Sequence, residues 1–293
     1  MRSYTIRLLA ALALMCAACA AQAVITCTVP TSGGFTTAYA GATGTLLNIT
    51  QGTVTFSCTR SVGGDPLTVL LRANNGANAL GVQNRARLGA TGNYLNYDGH
   101  KNSTCTSLWT SLVVGDFMTI NLAAVVGVAQ PISVNFWGCV PAGQAAVAGT
   151  YTDTVSMRVR NNTNTNNLSP TGTFAVSITV PASCTIAAPA PSPLTINYTA
   201  FQPAPATGST LGSATCTNNL PYELSLDVYI AVSPVSNLQY SLNIDGTAGK
   251  VSKRGNGGAQ GYTINVSMPA GQAGKCSSGS CSGTQMHTIY VTY

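Results

Sequence analysis

Read for the spacing of its apolar side chains, the chain is a succession of short strands. In "GTVTFSCT" (52–59), Val54, Phe56 and Cys58 share one face, while Thr53, Thr55 and Ser57 take the other. That period of two marks a half-buried β-strand. The same alternation runs through "PLTVLLRA" (66–73), "TFAVSITV" (173–180) and "YELSLDVYIA" (222–231), with Gly, Asn and Pro punctuating the gaps. Beyond residue 23 no stretch carries a sustained helical period. The expected class is all-β, with two antiparallel sandwiches.

The pattern also repeats. Cys27 and Cys58 lie 31 residues apart, Cys184 and Cys216 lie 32 apart, and each second cysteine closes a strand-like run. "NYLNYD" (93–98) is answered by "LQYSLNID" (238–245), and "VPAGQ" (140–144) by "MPAGQ" (268–272). The closing strands "GTYTDTVSMRV" and "GTQMHTIYVTY" complete the set. Shared cysteine spacing with motifs in the same order points to a duplication. Between the copies, "RNNTNTNNLSPTGT" is polar and Asn-rich and reads as a linker. The expected division is 24–160, a linker over 161–182, and 183–293.

Residues 1–23 form a different kind of segment. Arg2 and Arg7 precede an apolar run from Leu8, and Ala21-Gln22-Ala23 supplies a small-x-small cleavage signal, so a secretory signal peptide is expected. A membrane anchor is the competing reading, disfavoured because the run is too short to span a bilayer. Without Arg2 and Arg7 the net charge falls from +6 to +4, and charged residues make up 7% of the chain. They form no basic stripe, which argues against a nucleic-acid partner.

Eight cysteines follow the signal segment: Cys27, Cys58, Cys105, Cys139, Cys184, Cys216, Cys276 and Cys281. An even number behind a secretory signal implies disulfides. Four in each half permit three pairings; the expected set is Cys27–Cys58, Cys105–Cys139, Cys184–Cys216 and Cys276–Cys281. With only His100 and His287 beside them, and no paired C-x-x-C motif, a zinc site has no ligand set. No cofactor is expected. Catalysis is not expected either: no nucleophile elbow is present, and His100 near Asp98 reads as a solvated turn.

The elements Cys27…Cys58, "NRARLGATGNYLNYD", "VPAGQ…AGTYTDTVSMRV" and "HTIYVTY" resemble the spore coat protein U domain, in two copies covering nearly everything after residue 23. The second copy departs in lacking the Arg-rich lead-in and in carrying Cys276 and Cys281. That family forms subunits of archaic (Csu-type) chaperone–usher pili. The resemblance implies immunoglobulin-like sandwiches that each lack a final strand, which a neighbouring subunit's extended N-terminal strand supplies. It also implies a periplasmic chaperone, an outer-membrane usher and a place on the cell surface as partners and location.

Both copies end on the same strand, so both would lack the last one. The first can take 173–180 in cis, burying Phe174, Val176, Ile178 and Val180 at roughly 1.5–3 kcal/mol each before entropy. The second would borrow a strand from another chain. A mature chain starting at Val24, three residues before Cys27, would accept a strand without giving one, which places it at a pilus tip. The expected function is therefore a tip adhesin acting in surface attachment and biofilm formation on abiotic or host surfaces. Candidate apolar binding loops carry Leu46 and Leu47; Val113, Val114 and Phe117; and Val125, Val126 and Val128. The alternatives are a non-adhesive structural pilus or coat subunit, and a carbohydrate-binding module. Trp109 and Trp137 speak against the latter, since both sit beside cysteines in core-like runs.

Overall fold

The structure is a computed structural model that describes residues 24–39, 47–110, 116–190, 192–276 and 281–293. The leader reading for 1–23 and the candidates Leu46, Val113 and Val114 lie outside the described residues. Every regular element among the described residues is a strand.

The first half holds β1 (Ile25–Cys27), β2 (Thr31–Ser32), β3 (Phe35–Ala38), β4 (Asn48–Arg60), β5 (Thr68–Ala73), β6 (Arg85–Leu88), β7 (Tyr94–Asn96), β8 (Asp98–His100), β9 (Met118–Asn121), β10 (Gln130–Val140) and β11 (Gly149–Asn161), followed by β12 (Gly172–Val180). One sheet runs β1-β4-β10-β8 and the facing sheet β3-β12-β11-β5-β9. Inward parity on β4 selects Val54, Phe56 and Cys58, as the alternation foretold. Trp109, Phe136 and Phe174 meet between the sheets, with Phe174 stacked on Trp109 at 5.9 Å and 5.0 Å from Phe136.

The second half repeats the plan with β13 (Cys184–Ala190), β14 (Ala206–Cys216), β15 (Pro221–Leu226), β16 (Ile230–Val232), β17 (Gln239–Ile244), β18 (Val251–Arg254), β19 (Ala259–Met268) and β20 (Ile289–Thr292). Its sheets are β13-β14-β19-β17-β16 and β18-β15-β20. Disulfides join Cys27 to Cys58 and Cys184 to Cys216, each pair directly opposed on antiparallel strands. Cys105–Cys139 and Cys276–Cys281 are also bonded.

The duplication extends to individual hydrogen bonds. The Gln144 side chain accepts from Asn96 N–H at 2.7 Å and donates to Asn96 O at 2.9 Å. Gln272 does the same with Gln239, at 2.6 and 2.9 Å. The backbone N–H of each glutamine donates to a tyrosine hydroxyl, Tyr39 in one half and Tyr198 in the other. This clamp sets Asn96-Tyr97 against Gln239-Tyr240 and so fixes how "NYLNYD" and "LQYSLNID" correspond. His100 departs from the sequence reading: it sits on β8 opposite Trp137 and is buried, and that burial lowers its pKa.

Candidate functional site: a sealed groove, an open edge and an apolar pole

β12 occupies a slot between two strands. It runs antiparallel to β11, from Gly149↔Val180 to Met157↔Gly172, and parallel to β3, with Val176 opposite Phe35. The chain enters β3 through Gly34 at φ +72, where a Cβ would strike the Ala175 carbonyl, so the slot closes tightly over β12. Phe174, Val176, Ile178 and Val180 are all buried, and their outward neighbours Thr173, Ala175 and Thr179 are exposed. Opposite them on β11, Tyr151, Asp153, Val155 and Met157 are buried as well. Asp153 is satisfied inside: it accepts from Tyr97 Oη at 2.7 Å and from the N–H groups of Ala77 and Asn78 at 2.9 and 3.1 Å. Burial, then the Asp153 charge, raises the Tyr97 pKa well above the ordinary range and keeps the hydroxyl a donor.

The closing segment of the second half has the same sequence register, but among the described residues no strand stands to it as β12 stands to β11. Aligning Gly149-Thr150 with Gly283-Thr284 matches Tyr151, Asp153, Val155 and Met157 to Gln285, His287, Ile289 and Val291. The first two of these are exposed and the last two half-buried. Only Ile289–Thr292 forms a strand, β20, and it pairs with β15 alone; its other edge has no strand among the described residues. Tyr240 Oη meets His287 Nε2 at 2.7 Å, the counterpart of the Tyr97–Asp153 contact, and His287 Nδ1 lies 3.2 Å from Asp227.

At the far end of the first half, the turn between β9 and β10 exposes Val125, Val126 and Val128. β10 separates this turn from the "PAGQ" clamp by eleven residues, roughly 35 Å of strand. The clamp end is where the second half abuts: Asn218 Nδ2 donates to Ala145 O at 2.9 Å, and Val147 bridges Asn218. The valine turn thus points away from the second half. It is stapled from below. Gln130 exchanges two hydrogen bonds with the Ala123 backbone, and Gly127, at φ +73, donates to Arg60 O at 2.8 Å. The buried Arg60 guanidinium donates to Asp65 O at 2.6 Å and Gly63 O at 3.1 Å, and reaches Ala123 O at 3.5 Å.

The other candidates lie elsewhere. Leu47 is exposed but precedes β4 where Asn48 faces Val140, at the clamp end rather than with the valines. Phe117 is half-buried beside β9. These loops therefore do not form one surface. The staple went unrecognised in the sequence, although a signal was there: Arg60 falls on the inward parity of β4, after Val54, Phe56 and Cys58.

A family model described as Spore Coat Protein U domain matches residues 11–158. The chain belongs to the Spore Coat Protein U domain family. The match starts inside the segment read as a leader and ends within β11, so it spans the first half. No curated protein matches this family member. Among solved structures it is similar to the CsuC–CsuE chaperone–tip adhesion subunit pre-assembly complex of archaic chaperone–usher Csu pili of Acinetobacter baumannii. That likeness is at 15% identity, covering 90% of this chain and 99% of that one, with a TM-score of 0.44. It is also similar to the CupB6 tip adhesin of Pseudomonas aeruginosa (8% identity, 92% and 95% covered, TM-score 0.40). A third is the CooA pilin subunit of enterotoxigenic Escherichia coli (12%, 54% and 98%, 0.35).

Proposed function

We propose that this Spore Coat Protein U family member is the tip adhesin subunit of a chaperone–usher pilus, with the second half as its pilin domain and the first as its binding domain. The observation that carries the reading is the unequal completion of two like halves. β12 fills the groove of the first, whereas the matching edge of β20 in the second has no strand among the described residues. An open strand edge flanked by half-buried apolar side chains is a template for strand addition. The occupant in this reading is the N-terminal donor strand of the next subunit. A periplasmic chaperone covers the edge before assembly, and an outer-membrane usher passes the subunit to the cell surface. The valine turn, directed away from that junction, makes the contact with an abiotic or host surface that begins a biofilm.

The test is adsorption of the full chain to polystyrene and to clean glass. We expect it to hold polystyrene, and Val125→Asp/Val126→Asp to lose most of that retention with an unchanged melt, because these side chains are exposed. Equal retention by the variant would remove the valine turn from the proposal. Failure of the chain to take up any donor strand would remove the pilus assignment itself.

A further inference from the structure

A glycine on one strand leaves room for an aromatic ring from the next, and both halves use this on an inner face. In the first half Gly52 on β4 stands opposite Phe136 on β10, and the ring lies where a glycine Cβ would be. Beyond the glycine that ring meets Phe174 of β12, with centroids 5.0 Å apart. In the second half Gly212 on β14 stands opposite Tyr262 on β19, and the tyrosine ring crosses it in the same way. β14 answers to β4, since each carries the second cysteine of its disulfide. The far end of the Tyr262 ring therefore points to the side of the sandwich that β12 fills in the first half.

That far end carries a hydroxyl. Tyr262 is 2% exposed, and its Oη is buried with no hydrogen-bond partner among the described residues. The other tyrosines of this core are partnered: Tyr222 Oη donates to Gln260 Oε1 at 3.3 Å, and Tyr240 Oη meets His287. Buried polar groups are nearly always paired, so the exception asks for an acceptor. Burial raises the Tyr262 pKa, which keeps the hydroxyl protonated and able to donate.

The aromatic has also moved along its strand. Phe136 precedes the clamp residue Gln144 by eight positions, and Tyr262 precedes Gln272 by ten. Ile264 stands at the Phe136 position, so a residue like Phe174 would find no ring there. β10 and β12 both run toward the clamp, β12 ending at Val180 opposite Gly149. One inward step away from the clamp, two residues before Phe174, is Gly172.

We propose, resting on the reading of β20 as an acceptor edge, that Tyr262 selects the strand taken up there. Its Oη donates to a side-chain oxygen of Ser, Thr, Asn or Gln at the inward position matching Gly172 of β12. The occupant is a strand of another chain with one polar residue in an otherwise apolar inward set. Backbone pairing supplies affinity in such additions, and the side-chain positions supply the choice of partner. A strand like β12, with glycine at that position, leaves the hydroxyl unpaired.

The test uses the full, oxidised chain and two peptides of sequence 170–180, one carrying Gly172→Thr and the other Gly172→Val. Thr and Val have the same shape, so the difference between them reports the hydroxyl. In calorimetric titrations the Thr peptide should gain on the Val peptide by about tenfold in the parent relative to Tyr262→Phe. Equal ratios in parent and variant would overturn the role of Tyr262 while leaving the acceptor edge in place. If neither peptide binds, the edge of β20 accepts no strand, and the proposal falls with that reading. Without peptide, Tyr262→Phe should raise the urea midpoint of the second half, read by far-UV circular dichroism, because it removes an unpartnered hydroxyl. A midpoint that does not rise would mean that the hydroxyl is already paired, and would overturn the proposal independently of any peptide.

Discussion

The two halves of the molecule share a cysteine frame, a glutamine clamp and a closing-strand register, yet among the described residues only the first has a strand laid against its closing edge. Among the described residues, twenty-eight buried apolar residues form the core of the first half, against ten in the second. β12 accounts for part of this directly through Phe174, Val176, Ile178 and Val180, and for more through what it covers. Val155 is fully buried under β12, while its counterpart Ile289 remains half-exposed at an open edge. The final strand thus completes hydrogen bonding and closes the hydrophobic layer at once. A sandwich lacking it keeps its sheets but leaves its inner face partly wet.

The strongest way to break the comparison is to empty the groove from within. Phe174 stacks on Trp109 and touches Phe136, so Phe174→Ala should cost about 3–5 kcal/mol. Trp109 and Trp137 are the only tryptophans and both belong to the first half. Their fluorescence in a urea titration therefore reports that half alone, and its midpoint should fall while the transition of the second half, read by far-UV circular dichroism, stays in place. A loss under about 1 kcal/mol would mean that β12 rests on the sandwich without being part of it.

This much of the design was legible in sequence because it is local. Alternation in "TFAVSITV" assigned the inward set of β12, and the structure adds only Gly172 to its start. The disulfide partners, too, are paired as expected. What sequence left obscure depends on direction and register across distant strands. Leu47 and Val125 look alike as apolar loop residues, but β4 and β10 run antiparallel and carry them to opposite ends. His100 looked like a solvated turn because nothing nearby reveals that β8 pairs with β10. "HTIYVTY" alternates like β11, yet it is a strand only from Ile289, where it pairs with β15, and its outer edge has no strand beside it among the described residues.

A second experiment sharpens the comparison by supplying what is missing. A peptide with the sequence of 172–180, added in trans, should find an open edge in the second half and an occupied one in the first. At 100 times its Kd it should raise the stability of the second half by about 2.7 kcal/mol. The tryptophan-monitored transition should not move. If the tryptophan transition alone shifts, β12 exchanges with free peptide and the first half is the open one. If neither moves, the edge of β20 does not accept a strand of this kind.

The smallest effect sets one carboxylate of each half against the other by the sign of its response to pH. Asp98, in the first half, has its pKa raised to about 6 by burial, with a Gln83 hydrogen bond opposing. The folded state therefore holds its proton more tightly than the unfolded chain, where the value is an ordinary 3.8. The stabilisation is complete below about pH 4 and is lost as pH rises through 6. A two-unit shift corresponds to about 3 kcal/mol, and partial exposure reduces this to roughly 1–2 kcal/mol. Asp245, in the second half, moves the other way. Burial would raise its pKa, but the Lys253 ammonium at 2.8 Å and the Thr263 N–H at 2.7 Å bring it below 3.8. Its contribution is present above pH 4 and lost in acid. From pH 4 to pH 7 Asp98 should thus pull the tryptophan-monitored midpoint down, against the buried His100, whose lowered pKa adds stability over the same range, while the midpoint of the second half holds. Asp98→Asn should remove the downward component and raise the midpoint at pH 7. An unchanged slope in that variant would assign the pH dependence of the first half to another group.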